Sequence, residues 1–370
     1  MAPRWRRRLT IALSLLISAA AVAFFVTRLR GHWGGMARVL ARADYLYMLP
    51  ALLCVVLTYA LRVMRWRLFL TPVRRVRYRQ ITDAVCIGFM ANCVLPLRAG
   101  ELIRPYVLSR TSGVSLGSAA GTGVGLARVY DMVGACFILF LTLCVVPACG
   151  DVRSEPGSPQ HAVREVRVER RAEAPSWARR LREEAHWFAG FALLAMAGLV
   201  VVAARPRLAL RVAEFLLRPL PAGWRHRLLT AGGQALETLN FLKNPGPVAA
   251  ALGMTLLLWL CYPLSAWYVG EAFGLALPLG AALLVQSLLT LAVVLPQGPG
   301  YIGVYQVAAM VGAQLYGVPE SAAAAFATML WLLSVVPITL VGLLLLWMQG
   351  FGLAGLLRAS RSASEGGEAA

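Results

Sequence analysis

The stretch that decides the fold reads NCVLPLRAGELIR, residues 92–104. It directly follows an apolar run, residues 84–91, and therefore lies at or within membrane depth. It nevertheless holds a proline, a glycine, two arginines and a glutamate. Charges and freed backbone groups are costly in hydrocarbon and persist only when they are buried in protein or face a watery cavity. The stretch is our candidate functional site; the alternative is an interfacial loop solvated by lipid head groups.

The composition is that of a polytopic helical membrane protein. Of the 370 residues, 59% are hydrophobic and 14% are charged, and several apolar runs reach the roughly 20 residues that span a bilayer core. A net charge of +19 would suggest nucleic acid in a soluble chain. Here the arginines flank apolar runs, where they orient the chain and contact anionic head groups. We expect an all-α, multi-pass protein of the plasma (inner) membrane, with no nucleic-acid partner.

The apolar runs predict about six full spans joined by polar segments. The spans are placed at about 9–29, 45–63, 187–204, 248–272 and 322–348, with another that follows the small residues 115–125 and ends at Val146. Residues 31–44 are predicted to be a short loop, residues 98–116 are a short polar segment, and residues 64–80 are a basic cluster with Trp66 as an interfacial anchor. Further segments are a hydrophilic loop at 150–186, a basic amphipathic segment at 205–247 and a disordered tail at 351–370.

Two parts of the chain share a pattern that suggests an internal repeat. Pro96 and Pro296 each close an apolar run, and Gly100 and Gly300 stand at the same distance beyond them. These prolines and glycines are predicted to break the helices and to belong to the substrate-binding set. The repeats would cover about 45–147 and about 248–348.

The arginine distribution predicts the topology. If residues 81–97 crossed the membrane fully, the basic segment 205–247 would face outward, against the positive-inside rule. If 81–112 and 279–316 are re-entrant hairpins, the basic segments and both termini are cytoplasmic and the loop at 150–186 is outside. The two hairpins then enter from opposite sides, as an inverted repeat. Many transporters use such repeats to place broken helices around a midplane site.

The charged residues of the central stretch indicate phosphate binding. Arg98 and Arg104 are predicted to hold a lipid phosphate, because a guanidinium fork matches phosphate oxygens. With Glu101 they are spaced by three residues, which would put them on one helical face. Glu101 would pair with an arginine or contact a cationic headgroup. Arg128 and Asp131, one helical turn apart, either line the site or simply neutralise each other.

Polar residues near the breaks complete the predicted substrate-binding set. Asn92 would satisfy carbonyls freed by Pro96. Tyr301 and Gln306 would contact sugar or phosphate, although Tyr301 suits an interfacial anchor equally well. No catalytic triad, phosphate loop or metal-ligand set is visible, so we predict no catalytic residue, no metal and no cofactor.

Four motifs in order resemble one membrane family. They are the N…LPxRxGExxR pattern of residues 92–104, the arginines and tryptophan of 62–66, Arg128-x-x-Asp131, and PxxPGYIG at 296–303. The resemblance is to the lysylphosphatidylglycerol synthase transmembrane region, also called the flippase-like membrane domain family, over about 10–350. It implies a domain, 1–350, that binds and translocates an anionic phospholipid or a glycolipid.

Two departures and two alternatives accompany this resemblance. The family usually has glutamate where this chain has Ala127 and Gln306, which implies a headgroup of different charge or lost activity. The synthases' aminoacyl-transferring soluble domain is also missing from this sequence, so we expect the chain not to be an enzyme. The alternatives are a scaffold that docks a separate lipid synthase or glycosyltransferase, and a membrane enzyme acting on a lipid-linked substrate with Glu101 and Asp131 as its acid and base.

Overall fold

The computed structural model describes residues 16, 18–27, 33–95, 98–148, 241, 244–294 and 298–349. Within these ranges every regular element is helical. In chain order the α-helices are α1 Ser18–Thr27, α2 Trp33–Ala41, α3 Met48–Leu70, α4 Tyr78–Val94, α5 Gly100–Ser112, α6 Leu116–Ala120, α7 Ala127–Ala148, α8 Pro245–Ala272, α9 Leu279–Val294, α10 Val304–Gln314 and α11 Glu320–Met348.

Four helical segments in the described ranges are long and apolar enough to cross a membrane. They are Tyr45–Leu70, Leu116–Val145, Pro245–Ala272 and Glu320–Met348. An all-helical, multi-pass membrane protein is thereby confirmed. The predicted span at 187–204, the segments at 150–186 and 205–247, the tail at 351–370, Pro96 and Pro296 lie wholly or largely outside the described residues. Of the predicted span at 9–29, residues 16 and 18–27 are described, and α1 forms part of it.

Helix α3 extends beyond the predicted end of its span. It continues to Leu70 rather than ending near residue 63, so Arg62, Arg65 and Trp66 lie within the helix. Trp66 is 3% exposed, so its prediction as an interfacial anchor is wrong. Its indole nitrogen donates to the Thr122 hydroxyl at 3.1 Å. Arg62 and Arg65 can lie inside this longer span because both pair with the carboxylate of Asp131.

One segment predicted as a loop is largely helical. Residues 31–44 contain α2, and most of the short polar segment 98–116 forms α5. Helix α5 buries Ile103, Val107 and Leu108, which recur at helical spacing. It ends at Gly113, whose φ of +68° supplies the left-handed conformation that commonly closes a helix.

Small residues let the helices approach closely, as predicted. The segment Gly121–Leu126 is a π-helical turn between α6 and α7. A Cβ on Gly123 would lie 2.5 Å from Cζ2 of Trp66, so only glycine allows the indole to cover this turn. A π-turn of this kind rotates the residues that follow it, and such turns are frequent at functional sites.

The long helices α3 and α8 pack antiparallel. Arg65, late in α3, donates to Thr255, early in α8, at 2.8 Å. Ser265, late in α8, donates to the carbonyl of Ala51, early in α3, at 3.1 Å. Each long helix leads into a helix–break–helix segment, α4–α5 after α3 and α9–α10 after α8.

Each broken pair packs against a long helix from the other part of the chain. Helix α11 contacts α4, and α7 contacts α9. Gly342 of α11 has no room for a Cβ beside Met90 of α4. The Thr142 hydroxyl of α7 lies 3.1 Å from the Leu283 carbonyl of α9, to which it donates. The turn at the second break, Pro299–Tyr301, also contacts α4.

Candidate functional site

A shared carboxylate joins α3 to α7. Asp131 of α7 accepts from Arg62 Nη1 at 3.0 Å and from Arg65 Nη2 at 2.7 Å. Helix α8 completes the arrangement: Thr255 accepts from Arg65, and the Tyr262 hydroxyl accepts from Arg62 at 3.1 Å. The Arg65 side chain is 2% exposed. Such a buried cation requires a charged partner and further hydrogen bonds, and it has both.

Of the two alternatives for Arg128 and Asp131, the one in which they neutralise each other is wrong. Arg128 forms its ion pair with Glu101 of α5, so the two residues of the Arg-x-x-Asp motif bind different helices. Glu101 pairs with an arginine, which is one of its two predicted roles. The side chains of Arg128 and Glu101 are 49% and 25% exposed, so this ion pair is far more accessible than the one at Asp131.

Arg104 stands beside this cluster without a carboxylate among the described residues within ion-pair distance. Its Cζ lies 4.7 Å from the centre of the Phe89 ring, and Arg62 Cζ lies 5.3 Å from the same ring. The Trp66 ring is 5.9 Å from Arg104 Cζ. The aromatic faces partly balance the cation. The Nε atoms of Arg104 and Arg62 are nevertheless buried with no hydrogen-bond partner in the described part of the chain.

The first break is tightly packed around Gly100. A Cβ on Gly100 would overlap the carbonyl oxygen of Gly88, so the start of α5 touches α4 backbone to backbone. Asn92 is 7% exposed, and its Oδ1 has no hydrogen-bond partner among the described residues. Its predicted role in satisfying carbonyls freed by Pro96 stays a prediction, since Pro96 is outside the described ranges.

Arg98 does not share a helical face with Glu101 and Arg104. Helix α5 begins at Gly100, and Arg98 precedes it with a left-handed φ of +52°. The prediction of one common face is therefore wrong for Arg98. Its Nη2 atom is buried and without a hydrogen-bond partner among the described residues. A left-handed arginine is unfavourable by itself, so the surrounding break determines this conformation.

The second break contacts the first. Gly300, with φ +69°, would place a Cβ 3.6 Å from the Cys93 carbonyl oxygen of α4. Trp331 of α11 fixes this turn by donating to the Gly300 carbonyl at 2.7 Å. Tyr301 follows and also has a left-handed φ, +59°. The residues predicted at the two breaks are thus neighbours, although they are about two hundred positions apart.

Gln306 acts first as a helix cap. It is 6% exposed, and its Oε1 accepts from the backbone N–H of Gly303 at 2.7 Å at the start of α10. A glutamate would carry the same acceptor oxygen, so this departure from the family pattern preserves the cap. A direct contact of Gln306 with substrate stays a prediction.

The assembled site carries a surplus of positive charge. Five arginines meet two carboxylates among the described residues, leaving three positive charges in excess: Arg62, Arg65, Arg98, Arg104 and Arg128 against Glu101 and Asp131. The described residues contain no group of three or more His, Cys, Asp or Glu side chains that suits a metal ion. The surplus of arginines over carboxylates favours the binding of an anion at this site.

Arg62 and Arg65 are the site residues that sequence reasoning missed. They were assigned to the basic end of a span, yet both lie inside α3 and hold Asp131. The available signal was their spacing of three residues, which puts both on one helix face. Arginine inside an otherwise apolar helix is itself a pointer to function.

The comparison with known families agrees with this architecture. The model of the lysylphosphatidylglycerol synthase TM region matches residues 11–342. The chain belongs to this family. The match includes both helix breaks and all five arginines of the site, so the sequence resemblance noted above is confirmed.

A curated relative adds a second finding. Glycosyltransferase AglD of Haloferax volcanii is 25% identical over 317 residues, which is 83% of this chain and 49% of the relative. The chain thus spans about half the length of the curated relative that it matches. The prediction that the chain is not an enzyme is contradicted by this match, because the relative is named for an enzymatic activity.

Proposed function

We propose that the protein binds an anionic phospholipid or a glycolipid by its phosphate between the two helix breaks and moves it across the bilayer. The observation that carries the proposal is a set of buried guanidinium nitrogens at the site. Arg62 Nε, Arg98 Nη2 and Arg104 Nε have no hydrogen-bond partner among the described residues. A buried donor without an acceptor is costly, and the phosphate of a lipid supplies the acceptors that are missing.

The chemistry of arginine favours phosphate over other anions. A guanidinium presents N–H groups in a planar fork that matches two phosphate oxygens, and it stays charged at any physiological pH. Arg104, held against Phe89, presents this fork without an acidic competitor within ion-pair distance among the described residues. A headgroup entering between the breaks would neutralise part of the excess positive charge.

The helix arrangement supports a translocation role. The antiparallel packing of α3 and α8, each followed by a broken pair and a long helix, suits an inverted repeat of about 45–147 and 248–348. In this proposal α4–α5 and α9–α10 are re-entrant hairpins entering from opposite faces, and both termini are cytoplasmic. Transporters with inverted repeats place their sites where such breaks meet, near the bilayer midplane.

Single-cysteine labelling tests the topology. Labels at positions 75 and 225 should react from the cytoplasmic side, and a label at position 160 from the opposite side. The re-entrant arrangement would be excluded if positions 160 and 225 reacted from the same side. A cysteine-free background is required, since the described part of the chain already contains free cysteines.

Lipid binding and transport by arginine variants test the site. Arg104→Ala removes a charged hydrogen-bond donor, which costs roughly 1.5–3 kcal/mol, or about ten- to a hundredfold in affinity. Arg98→Ala should act in the same direction, and Arg104→Lys should restore only part because an ammonium lacks the fork. Arg42→Ala, at an exposed position on the turn after α2, is the control. Unchanged lipid binding and transport by folded Arg104→Ala protein in proteoliposomes would refute the proposal.

The curated relative favours a second candidate, the handling of a lipid-linked sugar for glycosyl transfer. In this proposal the five arginines of the site hold the lipid phosphate. A glycosyltransferase that is associated with the protein acts on the sugar. Incubating the purified protein and its copurifying partners with radiolabelled lipid-linked sugar tests it. Sugar transfer that Arg104→Ala abolishes would favour this candidate, and transport without transfer would favour the first.

A further inference from the structure

A groove separate from the central site lies where α3 leaves the membrane span and turns toward α4. It measures about 310 Å³ and we call it the elbow groove. Its cationic wall is formed by Arg67, Arg74 and Arg75, and its apolar wall by Met64, Leu68 and Met254. No acidic side chain of the described residues lines it.

The elbow groove lies on the opposite side of α3 from the central site. Arg67 follows Arg65 by two residues, which is a rotation of about 200° around a helix. Arg65 is buried and paired with Asp131, whereas Arg67 is exposed. A ligand in the elbow groove therefore does not compete with one between the helix breaks.

The three arginines are positioned to hold one anionic group. Arg67 Cζ lies 3.9 Å from the centre of the Tyr78 ring, which fixes its side chain across the groove. Arg74 is anchored by a hydrogen bond of 3.2 Å from its Nη1 to the Gly113 carbonyl. Their remaining N–H groups and those of Arg75 can donate to phosphate oxygens.

An apolar stripe leads from the groove along the membrane-facing side of α3. Leu53, Leu57, Met64 and Leu68 are spaced by four and seven residues and so share one helix face. Leu53 is 65% exposed and Met64 is 42% exposed. The cavity accommodates a headgroup and its glycerol, and the stripe provides a surface for the attached acyl chain.

We propose that the elbow groove is a binding site for an acidic glycerophospholipid of the surrounding leaflet. The phosphate lies among Arg67, Arg74 and Arg75, and an acyl chain lies along Met64 and the rest of the stripe. Basic pockets at the end of a membrane span recognise anionic lipid head groups in this way. The site does not depend on the proposed translocation function.

Photo-crosslinking from within the groove tests the proposal. The full-length chain carries p-benzoylphenylalanine in place of Thr71, a lining residue, in nanodiscs of equimolar phosphatidylglycerol and phosphatidylcholine. We expect phosphatidylglycerol to be strongly enriched among crosslinked lipids. The same residue in place of Leu340, which is 61% exposed on α11 and lies outside the groove and its stripe, reports the unselected lipid composition.

Charge removal then identifies the arginines that select the lipid. Each arginine near the membrane surface contributes about fivefold in affinity for an acidic lipid, so R67Q/R74Q/R75Q should lower the enrichment about a hundredfold. The matched control, R38Q/R42Q/R110Q, removes the same charge from exposed positions outside the groove and should leave the enrichment unchanged. R104A should also leave it unchanged, which separates this site from the central one.

Three results would overturn the proposal. The first is wild-type enrichment in folded R67Q/R74Q/R75Q protein, with folding verified by gel filtration and circular dichroism. The second is an equal loss in R38Q/R42Q/R110Q, which would indicate attraction by net charge alone. The third is displacement of the lipid by millimolar inorganic phosphate or glycerol phosphate, which would indicate a site for free anions.

Discussion

Asp131→Asn should destabilise the protein far more than Glu101→Gln, although each removes one carboxylate of an ion pair. Asp131 faces Arg62 at 3.0 Å and Arg65 at 2.7 Å, and the Arg65 side chain is 2% exposed, so water cannot replace the lost partner. Breaking a buried pair costs about 3–5 kcal/mol. Because the Asp131 side chain is 25% exposed, we expect the lower end, about 3 kcal/mol.

Glu101→Gln is the matched control because its partner can be solvated. The Arg128 side chain is 49% exposed, and pairs of this kind contribute less than about 1 kcal/mol. The free energy of unfolding of both variants is measured by detergent titration in bicelles, with helicity as the signal. Combining Asp131→Asn with Arg65→Met, which removes the stranded cation, should recover part of the loss. Equal, small effects of Asp131→Asn and Glu101→Gln would refute the view that Asp131 is needed to hold buried arginines.

Two further substitutions probe the packing of the site. Gly100→Ala should destabilise the protein by at least 1 kcal/mol, because its Cβ would overlap the Gly88 carbonyl, whereas Gly125→Ala has open space and should be neutral in the same unfolding titration. Trp66→Phe deletes an indole hydrogen bond at a position 3% exposed and should cost roughly 1–3 kcal/mol; Trp347→Phe, at 79% exposure, should change the titration midpoint little. Equal midpoints for either matched pair would contradict the corresponding contact.

The helical membrane class and the two helix breaks could be predicted because both depend on local sequence. Spans follow from runs of apolar residues long enough for hydrocarbon, and the breaks follow from glycine, proline and charge at the ends of such runs. The contact between Gly300 and the Cys93 carbonyl could not be predicted in this way.

The errors arose where distant residues decide local behaviour. Neutralisation of Asp131 by Arg128 was one of two alternatives because one helical turn separates them, but the partners of Asp131 are 66 and 69 residues away on α3. Those partners also explain why α3 continues past residue 63: paired arginines no longer mark the membrane surface. Residues 31–44 were predicted as a loop with a glycine pair, yet most of this segment forms α2.

The shared carboxylate at Asp131 also limits how this sequence can evolve. Arg62 and Arg65 both rely on it, so a substitution at Asp131 leaves two positive charges without a carboxylate among buried helices. A change at Asp131 alone therefore passes through an unstable intermediate, whereas loss of one arginine leaves a neutral pair. An exchange at Asp131 should appear only together with loss of charge on α3.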